Sequence, residues 1–440
     1  MKKIAVLSIA ALALFGTVAY ADIDNMDLGG DLMMLYFMGD NFDLNDNVGD
    51  DQDFFRMEGH LYFQADLDDN ITARISLEVD RALDGTRLGG ANALGIASSG
   101  NLDVFLEEAF IKVADIGGNG ISVSAGRQFL NYGDNPLADD FNRWWGPGFI
   151  IADSNPNSPL LLTALGSYEI DPFDAIVVSY ETEDTRVDLI HARDTEDLAA
   201  GTDSDASMWA VYGSYYGVEG HQIDLYVTFN SDNAGFGNIG FDGDRFIIGG
   251  RVAGDINEEF AYKAELAYQF DDANVIGVVE ADALAAQVGV NWHPDTDREP
   301  NLGLIYTYLQ EDNGLGFAAP FEGKTYGLIA EGLIKVVGVG AVTNMHVINV
   351  NGGVLLNDDI AWTADFFYMM LEDDNVAWSG GEDSLGYEFD TQLDYQFNDN
   401  LTTFLGGGVL IPEDAAEASP YAGGNDDESL FLRAGVKVNF

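Results

Sequence analysis

"FRMEGHLYFQADLDDNITARISLEVD", residues 55–80, carries the repeat that decides the fold. In its first half Phe55, Met57, Leu61, Phe63 and Ala65 alternate with Arg56, Glu58, His60, Gln64 and Asp66. After "LDDN" (67–70), Ile71, Ala73, Ile75, Leu77 and Val79 alternate with Thr72, Arg74, Ser76, Glu78 and Asp80. Successive side chains of a strand point to opposite faces, so each half has one apolar wall and one ionic wall. The stretch "GYEFDTQLDYQF" (386–397) repeats the pattern, with Tyr387, Phe389, Leu393, Tyr395 and Phe397 opposite Glu388, Asp390, Gln392, Asp394 and Gln396.

A soluble sandwich would alternate too. Three features point to an all-β transmembrane barrel instead. The segments reach about ten residues, the length of a tilted strand that crosses a bilayer. The polar face holds charges that a soluble sheet would spread over edges and loops. The connections alternate strictly between short and long. Tight turns fall near 67–70, 116–120, 182–184, 217–220, 255–259, 293–300, 357–359 and 398–400. Longer loops fall near 38–52, 82–101, 131–172, 194–206, 231–243, 271–281, 311–342, 372–385 and 412–427. Together they join eighteen antiparallel strands in up-and-down order, with both termini on the periplasmic side. The segments 161–170 and 326–342 leave sixteen or twenty strands as alternatives.

The ends and the composition agree. Lys2 and Lys3, the apolar run 4–15 and Ala19-Tyr20-Ala21 make residues 1–21 a cleavable signal peptide, with the barrel over 22–440. The chain holds 75 acidic and 19 basic residues, a formal charge of −56, and no cysteine. A surface this acidic excludes nucleic acid as a partner. "SLFLRAGVKVNF" (429–440) places Leu430, Leu432, Ala434, Val436, Val438 and Phe440 in one outward row. An aromatic closing such a strand looks like the signal read by the barrel-insertion machinery, with Phe440 in that role. Tyr215, Tyr216, Trp292, Tyr395 and Phe397 fall near periplasmic strand ends, as an aromatic girdle does. The expected surroundings are outer-membrane lipid and lipopolysaccharide, with monomer and trimer both open.

The polar rows give the candidate pore lining. Arg56, Arg74, Lys112, Arg245, Arg251, Lys263, Arg433 and Lys437 fall on inward faces. So do Glu58, Asp66, Glu78, Asp80, Glu108, Asp224, Glu265, Asp365, Glu388, Asp390 and Asp394. In "DVFLEEAF" (103–110) either Glu107 or Glu108 breaks the alternation. The stretch "AGRQFLNYGDNPLADDFNRWW" (125–145) delivers a strand into the longest loop, a candidate constriction. Gln128 and Asp134 stand at its rim. Strict alternation sends Arg127 outward, but a bulge at Gly126 would turn it into the lumen. The cost of an arginine against lipid favours the inward or snorkelling placement.

"GRQ-x3-YGD" (126–134), with "EEAFIKV" (107–113) before it, resembles the outer-membrane alginate-export barrel family. "VDLIHARD" (187–194) and "VYGSYYGVEGHQIDLYVTF" (211–229) are similar to that family's middle hairpins. The resemblance implies an eighteen-stranded barrel and a channel for acidic polysaccharide.

Other chemistry finds little support. "DLNDNVGDDQD" (43–53) offers Asp43, Asp46, Asp50 and Asp51 for loosely held calcium, but its spacing is not that of an EF-hand. The five histidines lie on separate strands and turns without metal-ligand or nucleophile spacing. "GGANALGIASSG" (89–100) lacks the Lys-Ser/Thr of a phosphate loop. No cofactor and no enzymatic activity are expected. The leading expectation is a passive channel for small hydrophilic solutes or ions. Export or uptake of an alginate-like polysaccharide comes second, and a structural surface barrel with cation-binding loops third.

Overall fold

The computed structural model describes residues 23–41, 44, 52–67, 70–82, 104–130, 132, 172–195, 206–232, 243–271, 282–312, 315–317, 344–374, 379–418 and 426–440. The signal-peptide reading, Asp134 and the rest of the long loop from 133, both ambiguous segments and the four candidate calcium aspartates lie outside them.

The strands are β1 (Ile23–Asp40), β2 (Gln52–Leu67), β3 (Ile71–Ala82), β4 (Phe105–Val113), β5 (Ile121–Gln128) and β6 (Phe173–Glu181). They continue with β7 (Thr185–Thr195), β8 (Ala206–Val218), β9 (His221–Asp232), β10 (Gly243–Asn257), β11 (Phe260–Asp271), β12 (Ala283–Trp292) and β13 (Asn301–Leu309). A small hairpin, β14 (Glu311–Asp312) and β15 (Leu315–Gly316), precedes β16 (Met345–Asn357), β17 (Ile360–Leu371), β18 (Ser384–Asn398), β19 (Leu401–Pro412) and β20 (Ser429–Asn439). All but the small hairpin form one 18-stranded antiparallel sheet, in which each strand pairs with its neighbours in sequence. β20 then pairs with β1 and closes the ring, from Asp31 opposite Asn439 to Asp40 opposite Leu430. Both backbone groups of Phe440 extend that ladder, its N–H and its carbonyl each 2.9 Å from Gly30. Closure satisfies every strand edge, which the hydrocarbon interior of a membrane requires. The eighteen strands and the long–short rhythm of their connections match the sequence expectation.

Burial follows the same period of two. Along β12 it reads buried, half-buried or exposed in alternation from Ala283 to Trp292. The exposed rows are apolar, with Ile176, Leu189, Val211, Leu225, Leu266, Val288 and Leu304 on the outer wall. Aromatic rings end these rows at the short-turn end, among them Tyr180, Tyr215, Phe260, Trp292, Trp362, Tyr395 and Phe397, all exposed. At the other end Phe55, Trp209, Phe229, Phe246 and Phe270 mark a second girdle. Tyr216 is only half-buried and stands apart from the expected girdle.

Inside, the wall has two levels. Toward the long loops it is apolar: Phe37, Phe54, Phe173, Ile190, Met208, Ile247, Met345, Met369, Leu410 and Phe431 belong to one buried cluster. Loop residues Leu44, Leu130 and Phe317 fill it, with Ala415 and Ala416 of the short helix α1 (Asp414–Glu417). Below this collar lies a polar belt.

Candidate lumen site

The belt is built from the inward rows of the strands, and most of its charges are engaged. On β2 and β3, Arg56 Nη2 lies 3.5 Å from Glu58 Oε2, and the Arg74 guanidinium sits 4.5 Å above the Tyr62 ring. Arg74 Nε also donates to Glu108 Oε2 on β4 at 2.6 Å. Farther round, Arg186 and Asp188 pair at 2.9 Å on β7. Arg251 Nη1 on β10 donates to Asp224 Oδ2 on β9 at 2.9 Å, and Gln222 Nε2 holds both oxygens of Asp224 at 2.8 and 3.0 Å. On β11, Lys263 and Glu265 share the inward row, and the Tyr226 hydroxyl donates to Glu265 at 2.8 Å. Such charge-assisted bonds hold side chains against the wall, and the Arg251–Asp224 pair is buried on both sides.

At the closing seam, Arg433 on β20 is buried and donates to Gln392 Oε1 at 2.7 Å, with Asp390 and Asp394 on the same inward face of β18. It lies flat because β19 offers glycine: a Cβ at Gly406 would meet Arg433 Nε at 3.2 Å, and one at Gly408 would meet Asp390 Oδ1 at 2.0 Å. Lys437 Nζ, lower on β20, is 3.8 Å from Asp31 Oδ1 on β1.

The opposite arc carries no charge among the described inward residues of β12, β13 and β16. It presents Gln287, Asn291, Thr307, Asn349 and Asn351, all buried. Four of them bond in pairs, Gln287 to Thr307 at 2.8 Å and Asn351 to Asn349 at 2.7 Å. Next to this arc, Asn349 Nδ2 reaches Asp365 on β17 at 3.3 Å.

The sequence candidates distribute as follows. Arg56, Glu58, Arg74, Glu78, Glu108, Arg251, Lys263, Glu265, Asp390, Asp394, Arg433 and Lys437 all turn inward. Lys112 does so nearer the short-turn end, opposite Ser124. Gln128 is buried against β6, where its Nε2 donates to the Ala175 carbonyl at 3.1 Å. Arg127 does not turn into the lumen. Gly126 adopts φ +129° without slipping the ladder, so Arg127 pairs with outward Ala109 on one side and Asp174 on the other. There Asp174 Oδ1 lies 3.7 Å from its Nη1, with the two side chains 67% and 36% exposed. An ion pair at the long-loop end of the wall removes the need to turn the arginine inward.

Several residues joined the belt that single-strand patterning missed. A register shift between Ser76 and Leu77 makes a bulge on β4, so Glu107 and Glu108 both turn inward and both are buried. Asp31 faces His60 across the β1–β2 pair. Tyr132, just past β5, reaches inward: its hydroxyl donates to Asp188 Oδ2 at 2.9 Å and its ring lies 4.8 Å from that of Tyr212. Burial, then the neighbouring Asp188 carboxylate, pushes the Tyr132 hydroxyl well above the usual phenol range, so it remains a neutral donor.

The profile of the family described as alginate export matches residues 24–316. The chain belongs to the alginate export family. In this member the match runs from β1 through β15 and takes in the belt from Asp31 to Glu265. The strands that close the ring, β16 to β20, follow it. Membership and the closed eighteen-stranded wall place the chain in the bacterial outer membrane, against lipid. No curated protein sequence matches it. Among solved structures, Acinetobacter baumannii OccAB2 is similar with a TM-score of 0.59 at 10% identity, over 95% of this chain and 98% of that one. Acinetobacter baumannii OccAB1 gives 0.58 at 12%, over 96% and 98%. Pseudomonas aeruginosa OprD gives 0.56 at 11%, over 96% and 97%. At such identities the likeness is one of fold.

Proposed function

We propose that this alginate-export-family barrel is a passive channel for small hydrophilic solutes rather than a conduit for long polyanions. One observation carries the reading. The guanidinium groups of Arg56, Arg74, Arg186 and Arg251 each have a carboxylate within ion-pair distance. A polyuronate passing through needs basic groups that it can bind in succession. Here four of those groups are already paired with carboxylates, and acids outnumber bases along the inward rows. Charged arcs facing the amide arc of β12, β13 and β16 set up a field across the lumen, which orients small dipolar or zwitterionic solutes. The chemistry of such a channel is selection and passage, without bond making.

The second reading, an alginate-like polysaccharide as cargo, draws on the family itself. Single-channel recording in a planar bilayer under a KCl gradient separates the two. Steady conductance with mild cation preference supports small-solute passage. Anion preference, with block by oligouronate, puts the polysaccharide first. A silent bilayer sinks both and leaves the structural barrel, with calcium held by Asp43, Asp46, Asp50 and Asp51 of the acidic loops.

A further inference from the structure

Beside the seam, three donor groups from three strands converge on one point of the belt. His60 on β2, Glu78 on β3 and Glu107 on β4 each offer an atom, and the three atoms lie within 4.8 Å of one another. Across the β1–β2 pair, the Asp31 carboxylate places both oxygens 3.3 Å from His60 Nδ1. Carboxylate oxygens only accept, so Nδ1 carries the proton and donates to them. That orients the other nitrogen, Nε2, toward Glu107 Oε1 at 3.6 Å and Glu78 Oε1 at 3.9 Å. Ser76 Oγ donates to Glu107 Oε2, the oxygen turned away from the imidazole. Lys437 steadies Asp31 from β20 at 3.8 Å.

Convergence of a ring nitrogen and two carboxylates requires a cation between them. A second proton on the imidazole is one answer. The geometry points to another: we propose that His60 Nε2, Glu78 and Glu107 bind a divalent transition cation of the zinc class on the lumen wall, with water completing its shell. Donors about 2.0–2.2 Å from a tetrahedral zinc stand roughly 3.4 Å apart, so the two histidine edges need close by only a few tenths of an ångström. The nitrogen-plus-carboxylate set suits zinc, copper or manganese better than calcium, which prefers oxygen alone. Asp31 supplies the carboxylate that metal-bound histidines commonly carry on their other nitrogen. The bulge on β4 is what makes the third ligand, since strict alternation would send Glu107 to lipid.

The test uses the full barrel folded in detergent, stripped with EDTA. Zn2+ titrated by calorimetry is expected to show one saturable site, at least tenfold weaker in His60→Gln and in Glu107→Gln. Asp31→Asn, which alters only the orienting carboxylate, is expected to weaken it about 10–100-fold. Cu2+ bound to the unaltered protein is expected to give an electron paramagnetic resonance spectrum with nitrogen coupling that His60→Gln removes. This readout separates the site from acidic loops, which offer only oxygen. An all-oxygen spectrum, or Zn2+ affinity equal in all four proteins, overturns the proposal. So does a wild-type barrel with no saturable binding, which leaves an ion-paired imidazolium.

Discussion

Replacing Arg251 with methionine isolates what the buried pairs contribute. Arg251 Nη1 sits 2.9 Å from Asp224 Oδ2, and the two side chains are 6% and 0% exposed. At that separation and an effective dielectric near 20, the gross attraction is about 6 kcal/mol. Removing one partner strands a buried charge, which costs about 3–5 kcal/mol. Gln222 still holds both oxygens of Asp224, at 2.8 and 3.0 Å, so the lower end applies. Arg251→Met should therefore cost about 3 kcal/mol, roughly a hundredfold in the folding constant. Adding Asp224→Leu should restore most of it, because an apolar pair of similar volume replaces a buried ion pair with little loss. Denaturant titration of the barrel in liposomes, followed by tryptophan fluorescence, measures both. The single variant also leaves the belt one positive charge poorer, so its reversal potential should move toward cation preference. A single variant within about 0.5 kcal/mol of the parent, or a double variant no more stable than the single, would refute the reasoning.

Three further outcomes follow from particular contacts. Tyr132→Phe removes a bond to a carboxylate, worth about 1.5–3 kcal/mol, and should speed amide exchange around Tyr132 while leaving the strands protected; unchanged exchange would mean the anchor contributes nothing. Gly126→Ala places a Cβ 2.2 Å from the Ala109 carbonyl at φ +129°, and should sharply reduce the heat-modifiable, folded fraction on refolding; a full yield would show that the backbone there yields freely. Phe440→Ala removes a side chain that is 64% exposed, so stability in liposomes should stay close to parental while outer-membrane yield in cells falls several-fold. Equal yield in cells would remove Phe440 from the role of insertion signal.

Much of this wall could be read along the chain because alternation is a local property. The inward rows of β2, β3, β18 and β20 follow from it directly. What escaped depends on register between strands. "LEEAF" (106–110) breaks the alternation, yet only its pairing with β3 shows a bulge that keeps both glutamates inside. Along the chain His60 has Glu58 beside it on the inward face but no partner at metal-ligand spacing, because Asp31 is 29 positions away and meets it only through the β1–β2 register. For Arg127 the cost of a charge against lipid favours an inward or snorkelling placement, an argument that leaves out a partner on the next strand; Asp174 is that partner. The collar had left a trace: "LMMLYFM" (32–38) is apolar on both faces, which an inward row exposed to water throughout would not be.

Closure of β20 on β1 also sets how the wall comes apart. An open sheet loses its outermost strand first, one bond at a time, and each loss eases the next. A ring has no such place to start. The first step has to separate a whole ladder between two strands, including the pairs Gly30 makes with Phe440, before any disorder is gained in return. That step makes opening slow, so the barrel should persist in the envelope through its rate of unfolding.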